Sequence, residues 1–332
     1  MTEAANATNE RALPASRALI IELGDVAIYV GLFLLIAAST AFEPTTLQPS
    51  RLLYTVAISL VLIFAAVAEG LVMLLGSIDL AVGAVITLVN VVVASIVSTN
   101  PALGIALAIA VGCGAGVVAG LLVAYVRLPS IVVTLALASV WGGIALYVMP
   151  TPGGSVPALL QQLIYGPWPI VIVIVLVAAL YWFSRLRLGR FTYAAGADPA
   201  AAFRAGIPVE RTRVVVFGIA GMLLGIAGIL FSALTGGGDP LAANAYTLPA
   251  ITAAVLGGIA FRGGKGTLWG AIAGAVALTQ ITHLVFFMGV PAFYQGIVNG
   301  ALLVLSVGIS RATSDRAIVI RVRPMRIAIT RA

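Results

Sequence analysis

Long apolar stretches separated by short polar ones run along almost the whole chain. Apolar runs fall at residues 24–42, 52–74, 80–98, 102–125, 130–149, 168–184, 214–234, 267–288 and 292–310. Each equals or approaches the roughly 20 helical residues needed to cross a hydrocarbon core about 30 Å thick. A shorter run, Thr247 to Ala260, lies between Gly236-Gly237-Gly238-Asp239-Pro240 and Arg262-Gly263-Gly264-Lys265-Gly266. Helix over that whole run would rise only about 21 Å. It can cross only if irregular backbone beside it is shielded by protein. The pattern predicts an all-α fold, a polytopic membrane helix bundle of about ten transmembrane helices.

Composition agrees. Of 332 residues, 61% are hydrophobic and 9% charged, against roughly 25% charged in a soluble domain. That is too little polar surface to face water, so lipid is the solvent for most of the exterior. Residues 1–23 are mixed and polar, and the run at 24–42 exceeds the 7–15 residues of a signal-peptide core. It reads as a retained first helix, a signal anchor. The predicted organisation is therefore a cytoplasmic N-terminal tail at 1–23, a transmembrane domain at 24–310 with a long cytoplasmic loop at 185–213, and a basic cytoplasmic tail at 311–332.

The basic residues orient the bundle. With ten crossings and the N-terminus inside, the cytoplasmic segments hold Arg11, Arg17, Arg127, Arg185, Arg187, Arg190, Arg204, Arg211, Arg213, Arg262 and Lys265. The tail adds Arg311, Arg316, Arg321, Arg323, Arg326 and Arg331, and of the 18 Lys and Arg only Arg51 falls outside. The loops near Pro101, Pro157, Asp239 and Gly289 carry none, which is the positive-inside rule in strong form. If the short run did not cross, six arginines of the tail would move outside. Ten crossings with both termini cytoplasmic is the consistent topology. The same distribution assigns the +7 net charge to cytoplasmic collars facing anionic lipid rather than to nucleic acid.

Small residues recur at four-residue spacing: Gly112, Gly116 and Gly120, then Gly221 and Gly225, then Gly270 and Gly274. On one helix face they allow two backbones to approach closely. Gly114, Gly116 and Ala119 also fit a dinucleotide fingerprint, but that needs a preceding strand and here lies mid-membrane. Gly263-Gly264-Lys265-Gly266-Thr267 fails a Walker A loop at two positions, so no ATP site is expected in this chain. No cofactor motif is present. One cysteine, Cys113, excludes an intrachain disulfide framework. The lone histidine, His283, reads as a satisfied or membrane-edge side chain rather than a metal ligand or triad member.

Two acids stand in apolar surroundings. Glu69 lies in the second run, and Asp79 lies in Ser77-Ile78-Asp79-Leu80-Ala81-Val82-Gly83 between the second and third. A carboxylate at bilayer depth costs about 2.5–3.5 kcal/mol on insertion scales and faces a bundle interior or cavity. A polar translocation path is one reading for both. For Asp79 the preferred reading is structural, a helix N-cap for span three; for Glu69 it is the path. In the long inner loop, Asp198 is a good N-cap, Pro199 suits the first helical position, and Gly206 with Pro208 provides a stop. A capped two-turn helix at 199–205 flanked by basic residues suits a docking element as well as a connector.

These segments resemble the permeases of ribose/xylose-type sugar ATP-binding-cassette importers. Ser77 to Gly83 is similar to their GGIDLSVG segment. Leu128-Pro129-Ser130-Ile131-Val132-Val133-Thr134-Leu135 is similar to a stretch that follows it. The Leu188 to Val209 loop and the Ala250 to Thr267 segment match in the same order, so the resemblance covers roughly residues 50–310. It implies an inner-membrane pore subunit, not an enzyme, paired with a second copy or a sister permease. Separate ATPase subunits would drive it, and a periplasmic or lipid-anchored binding protein would deliver a sugar. It also implies that helix 199–205 is the ATPase-coupling helix, with Asp198, Pro199, Ala202, Phe203 and Gly206 as its elements and Phe203 as its apolar knob. Glu69, Ser77, Asp79 and Gly83 become candidates for the path or its turn. Ser77 and Ala81 stand where the family has glycine and serine, and Asp198 where it often has asparagine. Glu69 departs further, since an acid in the path would select against anionic ligands. Alternatives are a permease for nucleosides or branched-chain amino acids, and a self-sufficient secondary transporter using Glu69 and Asp79.

Overall fold

The computed structural model describes residues 19–20, 23–42, 47–289, 294–313 and 319–320. Most of the expected N-terminal tail 1–23 and basic C-terminal tail 311–332 lies outside the described residues. Among the described residues, thirteen α-helices follow one another: α1 (Leu23–Phe42), α2 (Pro49–Leu74), α3 (Val82–Ile96), α4 (Pro101–Ala124), α5 (Ser130–Val148), α6 (Ala158–Gln161), α7 (Trp168–Arg185), α8 (Arg187–Ala197), α9 (Pro199–Arg204), α10 (Val209–Thr235), α11 (Thr247–Leu256), α12 (Leu268–Phe287) and α13 (Gln295–Thr313). The only strand pairing among the described residues is Leu19–Ile20 with Val319–Ile320. Six of the helices are long and apolar enough to cross a membrane, and the whole is a membrane helix bundle.

Local chemistry sets the helix ends. Asn100 accepts from the Leu103 N–H at 3.1 Å and Pro101 occupies the first helical turn of α4, so an orphan donor is satisfied where the missing proline N–H costs nothing. Three helices end by the same device. Gly76, Gly206 and Gly258 each take a positive φ of 72°, 80° and 89° after α2, α9 and α11. In each, the following N–H reaches back to the third-last helical carbonyl: Ser77 to Val72, Ile207 to Ala202, Ile259 to Ala254. This glycine cap closes a helix without spending water on its last carbonyls, which suits chain reversals inside protein.

The core is built around α2, which is buried from Ser59 to Leu74. α10 packs on α4 and α2, and α12 packs on α2 and α11. The α4–α10 crossing is a glycine-on-glycine contact. A Cβ on Gly112 would meet the Gly225 backbone at 2.7–2.8 Å, and one on Gly116 would meet the Phe217 carbonyl and the Gly221 Cα. One on Gly120 would stand 2.9 Å from Val214 Cα. In the second crossing, Gly270 and Gly274 of α12 lie against the backbone of Gly257 and Ala253 at the end of α11. With no hydrophobic drive between helices in lipid, such close approach is where dispersion accumulates. Along α4, α5 and α7, by contrast, long apolar side chains such as Leu121, Leu135, Ile174 and Trp182 stand exposed, as a lipid-facing surface requires.

The bundle has two ends. At one, Ser130 begins α5 and bonds to Ile78; at the other, Gly153, just past α5, pairs with Gly238. Arg127, the Arg185–Arg213 connection and the Arg262–Lys265 connection lie at the first, here the basic end. α11 is only ten residues long, yet the segment around it starts at Gly238 and reaches Gly264, which bonds to Leu74 at the basic end. A 3-10 turn at Ala242–Tyr246 supplies the remaining length.

Inserting a Cβ at Gly116 is expected to destabilise the detergent-solubilised protein by about 1–3 kcal/mol, the range for overpacking. Gly114→Ala, two residues earlier and facing nothing within 4 Å, should be neutral. Thermal unfolding of the two variants side by side checks this.

Candidate functional site

Between α2 and α3 the chain is not helical, although it lies inside the bundle. A nonhelical segment at that depth must find a partner for each polar backbone group, since each one left bare costs several kcal/mol. Side chains from three helices supply them. The Ile78 N–H donates to Ser130 Oγ at 3.1 Å and the Leu80 N–H to Thr134 Oγ1 at 3.0 Å. Ser130 and Thr134 are one helical turn apart on α5, so a single face serves both. The Asp79 N–H donates to both carboxylate oxygens of Glu69 at 3.2 and 3.3 Å. The Ala81 N–H donates to Asp79 Oδ1 at 2.8 Å, and the Gly83 N–H to Thr247 Oγ1 at 3.0 Å.

Glu69, Ser77, Asp79 and Gly83 are thus brought together, and all are buried. Glu69 is 0% exposed, and its carboxylate is a backbone acceptor for the break in the helix. The expectation that Asp79 caps span three is corrected. The cap position belongs to Ala81, which makes no side-chain cap bond, and Asp79 instead closes a tight turn with Ala81, ahead of the first helical residue. The Asp79 carboxylate accepts from the Ala81 N–H, one residue ahead of the first helical residue of α3. Gly83 has a spatial reason: a Cβ there would stand 2.8 Å from the Ala243 carbonyl and 2.6 Å from Thr247 Oγ1. α3 and α11 are both short helices, and their first turns meet at this point.

At the basic end, the loop 185–213 contains two helices where the sequence reading expects one. α8 escaped notice because its buried face consists of Gly189, Thr192, Ala195 and Gly196. These are small residues at helical spacing that carry almost no hydropathy signal. α9 follows directly. Asp198 Oδ1 accepts from the Ala200 and Ala201 N–H groups, each at 2.9 Å, and Pro199 opens the helix. Ala202 is buried while Phe203 is 66% exposed, so α9 presents an aromatic side chain outward from a tightly capped helix.

The opposite end is held by a residue the sequence reading passed over. Asn90 Nδ2 donates to Ser232 Oγ at 2.8 Å and to the Gly237 carbonyl at 3.0 Å, and its Oδ1 accepts from the Asp239 N–H at 2.8 Å. A lone amide in the apolar third run was the available signal. His283 stacks obliquely near Tyr54, ring centroids 6.5 Å apart, and Cys113 is a free thiol.

A family profile described as a branched-chain amino acid transport system / permease component matches residues 51–307. The chain is 32% identical over 293 residues to the ribose import permease protein of Escherichia coli strain K12, covering 84% of this chain and 91% of that one. It is 33% identical over 290 residues to the autoinducer 2 import system permease protein of Enterobacter sp. strain 638, covering 84% of each. To the xylose transport system permease protein of Escherichia coli strain K12 it is 39% identical over 152 residues, 46% of this chain and 39% of that one. No solved structure matches the chain. The chain belongs to this family of transport-system permease components. It is a multi-pass inner-membrane transport subunit.

Thr134→Val leaves the Leu80 N–H without its acceptor, a loss of about 1–3 kcal/mol for a buried group. Thr134→Ser should recover most of it. Asp79→Asn keeps the acceptor for Ala81 and should be milder than Asp79→Leu. Unfolding midpoints and transport rates of the four variants check the assignment, and equal loss for both Asp79 variants would show that the charge itself is required.

Proposed function

We propose that this chain is the pore subunit of an ATP-driven importer that carries a sugar across the inner membrane. The observation that carries the reading is the likeness to import permeases named for ribose, xylose and autoinducer 2, extending over most of the chain in the first and third cases. A pentose, a hexose or a related polyol is the substrate class. The chain would cross ten times with both termini in the cytoplasm. Two features support that topology: Arg127, Arg185–Arg213 and Arg262–Lys265 share one end of the bundle, and the segment through α11 links the two ends despite its short helix.

In this reading α9 is the coupling helix, received by a groove in a separate ATPase subunit, with Phe203 as its apolar contact. Its supports are the exposed Phe203 and the caps at both ends, which close the six-residue helix while Ala202 seats it against its neighbours. The permease acts beside a second copy or a sister chain, and a periplasmic or lipid-anchored binding protein delivers substrate to the Asn90 end. Glu69 and Asp79 order the broken helix, and through it the path, without conducting ions themselves. The family's description as a branched-chain amino acid permease component favours one second reading, an amino-acid substrate handled by the same machinery.

Proteoliposomes holding this chain, its ATPase and a loaded binding protein should accumulate radiolabelled ribose or xylose only with ATP. Leucine uptake in place of sugar uptake would establish the second reading, and uptake without the ATPase would refute an ATP-driven importer. Phe203→Ala and Gly206→Pro, the latter at a φ of 80° that proline cannot adopt, should reduce ATPase co-purification while leaving membrane insertion intact.

A further inference from the structure

The arm formed by α8 and α9 is joined to the bundle main chain to main chain. The Gly264 N–H donates to the Leu74 carbonyl, the last helical residue of α2, at 2.9 Å. A Cβ on Gly196, in the last turn of α8, would strike that same Leu74 carbonyl and stand 2.9 Å from the Gly264 nitrogen. One on Gly263 would stand 2.6 Å from the Gly76 nitrogen and 2.8 Å from the Gly196 carbonyl. One on Gly264 would stand 2.6 Å from Ala197 Cα. Tyr193, one turn before Gly196, donates its hydroxyl to the Gly266 carbonyl at 3.0 Å. Segments far apart in sequence, at 74–76, 196–197 and 263–266, therefore meet with no flexible side chain between them. Packed interiors transmit displacement instead of absorbing it.

The joints lie on either side of this junction. Leu186 between α7 and α8 is extended, with φ −70° and ψ 157°, and Pro208 before α10 has φ −77° and ψ 79°. Each breaks a helix axis where the arm meets a long span. We infer that α8, α9, the C-terminal end of α2 and the α11–α12 connection move as one rigid body. The inference rests on the reading of α9 as the ATPase dock. A displacement of α9 is then delivered to two places together: through Gly76 into the broken helix at 77–81, and through Gly266 into the start of α12. Gly196 and Tyr193 are positioning residues in this scheme, acting through the segments they hold.

The test uses the full complex with its ATPase, in a Cys113→Ser background carrying Ser77→Cys as a reporter in the broken helix. N-ethylmaleimide labelling of that cysteine is compared between nucleotide-free and vanadate-trapped complexes. The parent should label several-fold differently in the two states, and Gly196→Ala should label alike in both while still binding the ATPase and hydrolysing ATP. Equal labelling of the parent in both states, or a state difference kept in Gly196→Ala, would overturn the inference. A second variant joins the arm to the loop by a disulfide between Ala197→Cys and Lys265→Cys, next to Gly264. If the parts move together, ATP turnover survives oxidation within about twofold. Turnover lost on oxidation and restored by reductant would overturn it, and this arm decides the matter if Gly196→Ala does not assemble. A parent chain that fails to co-purify with the ATPase would instead sink the docking reading itself.

Discussion

Peptide groups in hydrocarbon must be hydrogen-bonded by the protein, and the centre of this structure is organised by one place where a helix cannot do it. From Ser77 to Ala81 the backbone leaves the helical pattern among buried side chains. The N–H groups of Ile78, Asp79, Leu80 and Ala81 go to Ser130, Glu69, Thr134 and Asp79 in turn. The polar residues of α2 and α5 are placed by this need. It also explains how a fully buried glutamate can persist in a transmembrane helix: its two oxygens satisfy a peptide group that would otherwise be bare.

The second constraint is distance. Glycine removes the side-chain layer from selected crossings, so α4 and α10 meet backbone to backbone, as do α11 and α12. The same substitution of glycine for bulk is used at the basic end for a different purpose. At Gly76, Gly263 and Gly264 the positive φ angles of 72°, 79° and 69° permit sharp reversals, and the missing Cβ atoms let the two reversals share one point. Stability and transmission of movement thus draw on one residue type through two properties, its size and its conformational range.

Much of the architecture was legible in the chain. Hydropathy placed the long helices within a few residues of their ends, because a long apolar run in lipid has only the helical option. Asp198, Pro199 and Gly206 marked α9 by capping chemistry alone. Other features were out of reach for definite reasons. The repeats at Gly112 and Gly221 indicate a helix face but not which helix faces which, since spacing carries no information about partners. The face of α8 is made of small residues, which hydropathy cannot see. Asp79 looked like a cap because it stands just before a helix, but its carboxylate reaches only Ala81, a matter of backbone torsion that composition does not encode. Ser130 and Thr134 stood out in the chain only as members of the family-like stretch Leu128 to Leu135, because their role as acceptors depends on a segment opposite them that lacks helical bonds.

Asn90 gives the two ends of the molecule different kinds of fastening. At the basic end, peptide groups and glycine carbons touch directly, and opening it would mean prising apart main chains at several points together. At the far end, the strand-like contact of Gly153 with Gly238 is tied to α3 by the Ser155 N–H on the Ala94 carbonyl and by one carboxamide, which acts as both donor and acceptor. An aspartate there would lack the donor and a leucine would lack everything. The far end therefore adds to its main-chain contacts one carboxamide that fastens three partners at once, whereas the basic end relies mainly on glycine and main chain.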